Sequence, residues 1–218
     1  MKEISVPAAA AEIAELRIGD VFFLSGLIAT GRDDAHRRIA AEGLESPFDF
    51  RGGAVFHAGP IVRERRAGEG GGGDLPPGGE GFEIVSIGPT SSIRMEEWAA
   101  GFLEKTGALI MIGKGGMGPK TADACRRLGA IHCVYPGGCA ALGAGQVEKI
   151  EGAYWRELGM PECVWAMRVR RFGPLIVSID AAGRSMFAEN AALYASRMEA
   201  CMQGTIEALR SWRAGERA

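Results

Sequence analysis

The sequence lacks the features that mark several large classes of protein. No apolar stretch approaches the roughly 20 residues that a transmembrane helix needs, and the first ten residues, MKEISVPAAA, resemble neither a signal peptide nor a transit peptide. A formal net charge of -2 provides no overall basic field for nucleic acid or an anionic membrane. We therefore expect a cytoplasmic protein that binds neither a membrane nor nucleic acid.

Cysteines at metal-site spacing are also lacking. The chain has no CxxC pair and no Cys/His pairs of the zinc-finger kind, and an odd number of cysteines fits reduced thiols in a cytoplasm. The five are Cys125, Cys133, Cys139, Cys163 and Cys201. Most lie among apolar residues, as core cysteines do; Cys139, beside two glycines, is the one to examine for reactivity. We expect no metal site in this chain.

The pattern of apolar residues indicates an α/β fold. At 218 residues and 47% hydrophobic composition, the chain can bury a sizeable core in one large domain. Predicted strands are residues 20–30, 53–60, 82–88, 108–112 and 131–135, and predicted helices are residues 35–41, 94–106 and 119–128. This alternation is typical of an α/β domain with a mixed, layered sheet.

The other segments complete one domain. They are a glycine- and proline-rich loop at 67–81, a closely packed helix at 139–150, strands at 164–172 and 175–180, and a long amphipathic helix at 188–212. We expect a single domain over residues 1–218, with its core at about 17–187 and the long helix after it.

The glycine-rich run from Gly113 to Gly118, GKGGMG, fits a dinucleotide-binding pattern between a strand and a helix. A ribose-binding acid is missing, because the next strand ends in Val134-Tyr135-Pro136. A P-loop is excluded because Lys114 comes near the start of the run. Two interpretations remain: a pocket of glycine amides, a helix N-terminus and Lys114 for a carboxylate or phosphate, or a structural glycine turn with a solvated lysine.

Three cationic residues each follow a predicted strand: Arg32, Arg94 and Lys114. A cation at a helix start opposes the helix dipole, and a bound anion would offset that cost at Arg94. Arginine grips carboxylates through two parallel hydrogen bonds. Because the carboxyl ends of strands are where α/β sheets bind ligands, we expect these residues to form one anion site.

Nearby polar residues have structural explanations of their own. Thr90, Ser91 and Ser92 lie between a strand and a helix, so each is a candidate helix cap. His57, on an apolar strand, is expected to be a core histidine. His36 either supports the turn before it or lies on the surface of its helix.

Five motifs in fixed order carry a family resemblance: GRDDAHRR, PFDFRGGAVFHAGP, GPTSSIRME, GKGG and YPGGCAAL. With them the chain resembles the C-terminal region of class I fumarases and, equally, the separate beta subunit of L(+)-tartrate dehydratase. The resemblance extends over about residues 17–187. It implies a swivelling β/β/α domain and hydro-lyase activity on a small dicarboxylate.

The resemblance also implies a partner and a cofactor. A larger alpha subunit would hold a four-iron four-sulfur cluster through three cysteines of its own, in an α2β2 assembly. In similar enzymes the cluster's unique iron polarises the substrate hydroxyl while a base removes a proton from the neighbouring carbon.

The resemblance assigns roles to four positions of this chain. Arg32, Arg94 and Lys114 would bind the substrate carboxylates, and Thr90 would lie near the proton that is removed. A threonine hydroxyl is a poor base unless neighbouring cations stabilise its alkoxide. The chain departs from the family pattern at Ser91, Ile93 and Glu96, where Thr, Gly and Asp are usual, so the shape of this turn is open.

Two functions from other classes stay open on the sequence. One is a stand-alone anion-binding or regulatory module without a catalytic partner. The other is a nucleotide-dependent enzyme using GKGGMG, which the missing ribose acid disfavours. The substrate is open among fumarate or malate, tartrate, and methylated relatives such as mesaconate.

Overall fold

A computed structural model describes residues 2–64 and 81–215. The strands are β1 (Lys2–Val6), β2 (Val21–Thr30), β3 (Ala54–Phe56), β4 (Ile61–Glu64), β5 (Phe82–Ser86), β6 (Ile110–Gly113), β7 (Ile131–Val134), β8 (Val147–Tyr154) and β9 (Val164–Ile179). The helices are α1 (Ala10–Ala14), α2 (Asp33–Ala40), α3 (Glu96–Thr106), α4 (Pro119–Leu128), α5 (Ala140–Gly145) and α6 (Met186–Gly215). Short 3-10 turns lie at Ser92–Met95 and Arg156–Leu158.

The main sheet is mixed and closes on itself. Strands β1, β2, β3, β6 and β7 are parallel neighbours in that order. The long strand β9 runs antiparallel to both β7 and β2, and β8 pairs antiparallel with β9. The pairings β2–β3–β6–β7–β9–β2 therefore form a ring whose strands leave few unpaired edges. A separate hairpin joins β4 and β5.

Alternating side chains supply two hydrophobic cores on opposite faces of this sheet. In β3, Phe56 packs with Ile112, Tyr135 and Phe172 on one face, while Val55 belongs to the other. The second core also contains Phe102, contributed by α3, and residues of α2 and α4. Helices α2, α3 and α4 therefore cover one face as a layer, and α/β architecture with a mixed sheet is confirmed.

Most predicted elements are present near their predicted positions. Helix α4 begins and ends where the pattern placed it, because Pro119 opens its first turn and Gly129 ends it in a left-handed conformation. The predicted strand at 53–60 is shorter, Ala54–Phe56. The predicted loop at 67–81 lies outside the described residues, apart from Gly81.

Two predictions in the second half were wrong in part. The helix predicted at 139–150 ends at Gly145, and a strand, β8, begins at Val147. Glycine weakens a helix here, and β9 offers a strand partner. The two strands predicted at 164–172 and 175–180 are one strand, β9, because three neighbouring strands pair along its length.

The chain divides into two compact units, Met1–Arg184 and Ser185–Ala218. The second contains helix α6, whose large apolar side chains are exposed. These are Phe187, Leu193, Tyr194, Met198, Met202, Ile206, Leu209 and Trp212. The expectation of one domain over residues 1–218 stays a prediction. No helix in the described ranges is both long and apolar enough to cross a membrane.

Candidate functional site

The four predicted site residues lie at one edge of the closed sheet. Arg32 follows β2 and precedes α2, Lys114 follows β6, and Thr90 and Arg94 lie on the segment that connects β5 to α3. Strands β2, β3 and β6 are parallel, so their carboxyl ends share an edge. This is the edge at which an α/β sheet usually binds its ligand.

Backbone hydrogen bonds insert the Thr90 segment between the ends of β3 and β6. The Thr90 N–H donates to the carbonyl of His57 (2.6 Å), and the Lys114 N–H donates to the carbonyl of Thr90 (3.1 Å). The Ser92 N–H then donates to the carbonyl of Lys114 (3.0 Å). Thr90 and Lys114 are therefore held side by side by the main chain, although they are far apart in sequence.

The Arg94 guanidinium grips a carboxylate from this chain. Its Nε lies 3.1 Å from Oδ1 of Asp33 and its Nη2 lies 2.5 Å from Oδ2, a bidentate pair. Half of the Arg94 side chain stays exposed. The sequence predicted an anion for Arg94, and the anion present is Asp33, the first residue of α2.

Arg32 also has an acidic partner. Its Nε lies 3.2 Å from Oε1 of Glu162, but no aligned hydrogen bond forms, so the contact is a close ion pair. Glu162 also accepts a hydrogen bond from the Asp34 N–H (3.1 Å). Burial raises the pKa of the Glu162 carboxyl, and the Asp34 N–H and Arg32 oppose that rise. The sequence contained no signal for Glu162, because it lies in a distant loop before β9.

Lys114 is exposed and differs from both arginines. Its aliphatic chain reaches toward Gly137, where a Cβ would lie 3.4 Å from the lysine Cδ. Among the side chains that the structure describes, its ammonium has no ion pair or hydrogen bond. Of the three cations proposed for the site, Lys114 is therefore the one whose charged group has no acidic partner among the described residues.

The first turn of α4 is not the open anion pocket that the glycine run suggested. The carboxylate of Glu96 accepts hydrogen bonds from the N–H groups of Gly118 (2.7 Å), Lys120 (2.9 Å) and Thr121 (3.2 Å). It also accepts one from the Thr121 hydroxyl (2.6 Å). The helix N-terminus is therefore occupied by the chain's own carboxylate, which argues against the first of the two interpretations of the glycine run, the one that uses these amides for a bound anion.

The serines before α3 do not cap a helix through their side chains. Neither the 3-10 turn at Ser92–Met95 nor α3 has a side-chain cap. The Ser92 hydroxyl points inward, 2.9 Å from Nδ1 of His57 and 3.0 Å from Nε2 of His132. Capping was the wrong interpretation of Ser92, because its side chain is fully buried against the two histidines.

All three histidines are fully buried beneath the site. His36 supports the Arg32 turn, since its Nδ1 lies 3.0 Å from the Arg32 carbonyl oxygen. Burial lowers the pKa of His36 to about 4 and of His132 to about 3, and it lowers that of His57 well below its ordinary value. These imidazoles are therefore neutral near pH 7.

Most of the cysteines are core residues. Cys125, Cys133 and Cys163 are buried. Burial raises the pKa of Cys125 to about 12 and of Cys163 to about 11, and raises that of Cys133 well above its ordinary value. Cys139 is half-buried and Cys201 is exposed on α6. Raised pKa values leave the buried thiols protonated and unreactive.

Comparison with known sequences identifies the family. The profile described as Fumarase C-terminus matches residues 1–190, most of the chain. The chain belongs to the Fumarase C-terminus family. It is 44% identical over 206 residues to the L(+)-tartrate dehydratase subunit beta of Escherichia coli (strain K12), covering 94% of this chain and 96% of that protein.

More distant relatives of this Fumarase C-terminus chain carry two kinds of name, tartrate dehydratase subunit beta and class I fumarate hydratase. One, from Methanocaldococcus jannaschii, is named "Putative L(+)-tartrate dehydratase subunit beta" and is 38% identical over 183 residues, 82% of this chain and 87% of that protein. Another, from Geobacillus stearothermophilus, is named "Putative fumarate hydratase class I" and is 33% identical over 84% of this chain. The match covers 33% of that longer protein. The family resemblance read from the motifs is confirmed.

The residues that the structure describes do not form a site for an iron-sulfur cluster. No group of three or more His, Cys, Asp or Glu side chains in the described part of the chain could hold a metal ion. Three of its cysteines, Cys125, Cys133 and Cys163, are buried.

Proposed function

We propose that this chain is the beta subunit of a heteromeric hydro-lyase that adds water to, or removes water from, a small dicarboxylate. The observation that carries the proposal is the convergence of Arg32, Arg94, Lys114 and Thr90 at one sheet edge. That edge belongs to a chain that matches a tartrate dehydratase beta subunit over nearly its whole length. L(+)-tartrate is the first substrate to test, and fumarate the second.

The three cations are suited to the two carboxylates of such a substrate. Arg94 presents Nε and Nη2 in the bidentate geometry that a carboxylate prefers, and Asp33 occupies that edge in this structure. Arg32 faces Glu162 at its Nε, and its Nη2 lies 4.0 Å from Oδ2 of Asp33, so a ligand would meet a guanidinium that two carboxylates already flank. Lys114 offers an unpaired ammonium among the described residues. A substrate carboxylate would displace Asp33 from Arg94 or share the guanidinium with it.

Thr90 is the group we assign to proton removal. Its N–H and carbonyl are both engaged, by His57 and Lys114, so its side chain has a fixed starting position beside the lysine. A hydroxyl becomes a base only where positive charge stabilises its alkoxide. Lys114 and Arg94 would supply that charge, and the Thr90 alkoxide would take the proton from the substrate carbon and become the neutral hydroxyl.

The proposal includes a partner chain. The relatives named subunit beta imply an alpha subunit, and we place the four-iron four-sulfur cluster in that partner, in an α2β2 assembly. The lack of fitting ligands among the described residues of this chain supports that placement.

Anaerobic pull-down of this chain from its source cells, with iron analysis and assays on L(+)-tartrate and fumarate, tests the proposal. We expect an iron-loaded, cysteine-bearing partner and a complex with hydro-lyase activity. Thr90→Val in that complex should abolish turnover while leaving assembly and iron content unchanged. Recovery of the chain alone, without iron, would contradict the proposal and favour a stand-alone anion-binding module.

A further inference from the structure

A chain of buried polar side chains runs beneath the Thr90–Arg94 turn. His57 Nδ1 lies 2.9 Å from the Ser92 hydroxyl, which lies 3.0 Å from His132 Nε2. His132 Nδ1 lies 2.6 Å from the Ser178 hydroxyl. All four side chains are fully buried, so no bulk water competes for these bonds.

The donor and the acceptor of each hydrogen bond in this row of side chains can be assigned by starting from Ser178. The Ser178 hydroxyl donates to the carbonyl of His132 (3.1 Å), so its oxygen accepts from His132 Nδ1–H. A neutral imidazole carries one proton, so His132 Nε2 is an acceptor. It therefore accepts from the Ser92 hydroxyl, whose oxygen accepts in turn from His57 Nδ1–H.

The same reasoning assigns His36. Its Nδ1 faces the carbonyl oxygen of Arg32, which can only accept, so the proton is again on Nδ1. The Nε2 atoms of His36 and His57 have no hydrogen-bond partner among the described residues. All three imidazoles therefore have the Nδ1–H tautomer.

Ser92 connects this buried chain to the proposed site. It lies two residues from Thr90 and two from Arg94. Its N–H donates to the carbonyl of Lys114. Ser92 therefore anchors the turn through both its backbone and its side chain. At Gly113 an added Cβ would lie 1.8 Å from the Ser92 Oγ, so only glycine lets the serine lie this close to β6.

We infer that Ser92 is a positioning residue, which holds Thr90 and Arg94 in register with Lys114 by bridging His57 and His132. The inference rests on the proposed function, because it assumes that those three residues contact the substrate. Ser92 itself does not need to touch the substrate. Misplacement of a reacting group by about 1 Å can cost on the order of a hundredfold in rate, so a bridge of this kind matters for turnover.

The first test needs no variant. Long-range proton–nitrogen NMR of the full chain labelled at its three histidines reports which ring nitrogen carries the proton. We expect three Nδ1–H tautomers in the wild type, and we expect Ser92→Ala to remove the single-tautomer signature of His57. An Nε2–H tautomer at His57 or His132, or an unchanged Ser92→Ala spectrum, would overturn the bridge.

The second test separates positioning from stability. Thr106→Val is the matched control, because the Thr106 hydroxyl is also buried and donates to the Phe102 carbonyl at the far end of α3. In the assembled enzyme we expect Ser92→Ala to lower kcat/KM by about tenfold or more, with a fall in kcat, while Thr106→Val stays within about twofold of wild type. Equal kcat/KM values for the two variants would overturn the positioning role.

The two tests also distinguish the inference from the proposed function. A wild-type complex without hydro-lyase activity would overturn the proposed function and the positioning role together, while the NMR spectrum would still report on the hydrogen-bonded chain. An active wild-type complex in which Ser92→Ala retains full kcat/KM would overturn the positioning role alone.

Discussion

The three cations of the proposed site are not equivalent as individual residues. Arg94 is paired with Asp33, and Arg32 with Glu162. Lys114 has no such partner within the described ranges. A dicarboxylate bound at the proposed site would therefore compete with the chain's own carboxylates at the arginines but not at the lysine. We expect Lys114 to contribute strongly to affinity for this reason.

Replacing Lys114 with methionine tests this expectation. In the assembled enzyme KM should rise by about tenfold or more, because one charge-assisted hydrogen bond contributes on the order of 1.5–3 kcal/mol. The free energy of unfolding should change by less than about 0.5 kcal/mol, because an exposed ammonium without a partner stabilises nothing in the fold. Steady-state kinetics and urea denaturation measure the two quantities.

Lys120→Met is the matched control. Lys120 is also exposed, and its ammonium pairs with Glu97, which is not among the residues proposed to bind the substrate. Its KM should equal that of the wild type. A Lys114→Met enzyme with unchanged KM would show that the lysine does not bind the substrate.

Among the elements, helix α4 shows why the glycine motif alone does not reveal what occupies the N-terminus of the helix that follows it. The glycine run before it does expose N–H groups at a helix start, as the pattern predicts. The side chain that takes them, Glu96, comes from the start of α3, 22 residues before Gly118. No local pattern predicts that a neighbouring helix will cap this one.

The cap makes α4 sensitive to Glu96. Glu96→Ala leaves three N–H groups and the Thr121 hydroxyl without their acceptor. We expect the free energy of unfolding to fall by about 1–3 kcal/mol. Glu97→Ala, which breaks only an exposed ion pair, should cost less than about 1 kcal/mol. Equal losses in urea denaturation would contradict the capping role.

The second half of the sheet was harder to predict than the first. Strands β2, β6 and β7 are short apolar runs between helices, and each was placed within a few residues. Strand β8 was not, since VEKIEGAY alternates weakly and follows a small helix. Its strand conformation depends on pairing with β9. Strand propensity is decided by such neighbours more than by the segment itself.

Across the molecule, the three buried histidines link folding to pH. Burial lowers the pKa of His36 to about 4 and of His132 to about 3, and lowers that of His57 well below the ordinary value of 6.5. Below pH 6.5 the histidines of the unfolded chain therefore bind protons, whereas the histidines of the folded chain stay neutral. The stability that they contribute is present above pH 6.5 and is lost as the pH falls from 6.5 toward the folded-state pKa values, about 4 for His36 and about 3 for His132.

Urea denaturation between pH 7 and pH 5 measures this linkage. The free energy of unfolding should fall by about 1–2 kcal/mol for each histidine by pH 5, before most carboxylates begin to titrate. Proton uptake on unfolding should approach one per histidine in this range. A stability that stays flat from pH 7 to pH 5 would show that the histidines titrate normally in the folded state.

The sequence by itself determined the order of most strands and helices, the family, and the four residues proposed to meet the substrate. These depend on local spacing and on motifs, which a linear chain displays directly. Only the tertiary structure decided that β9 closes the sheet into a ring, that Asp33 and Glu162 hold the two arginines, and that Ser92 bridges two histidines. Such contacts join residues tens of positions apart. Their geometry follows from how the strands pair, which no local pattern contains.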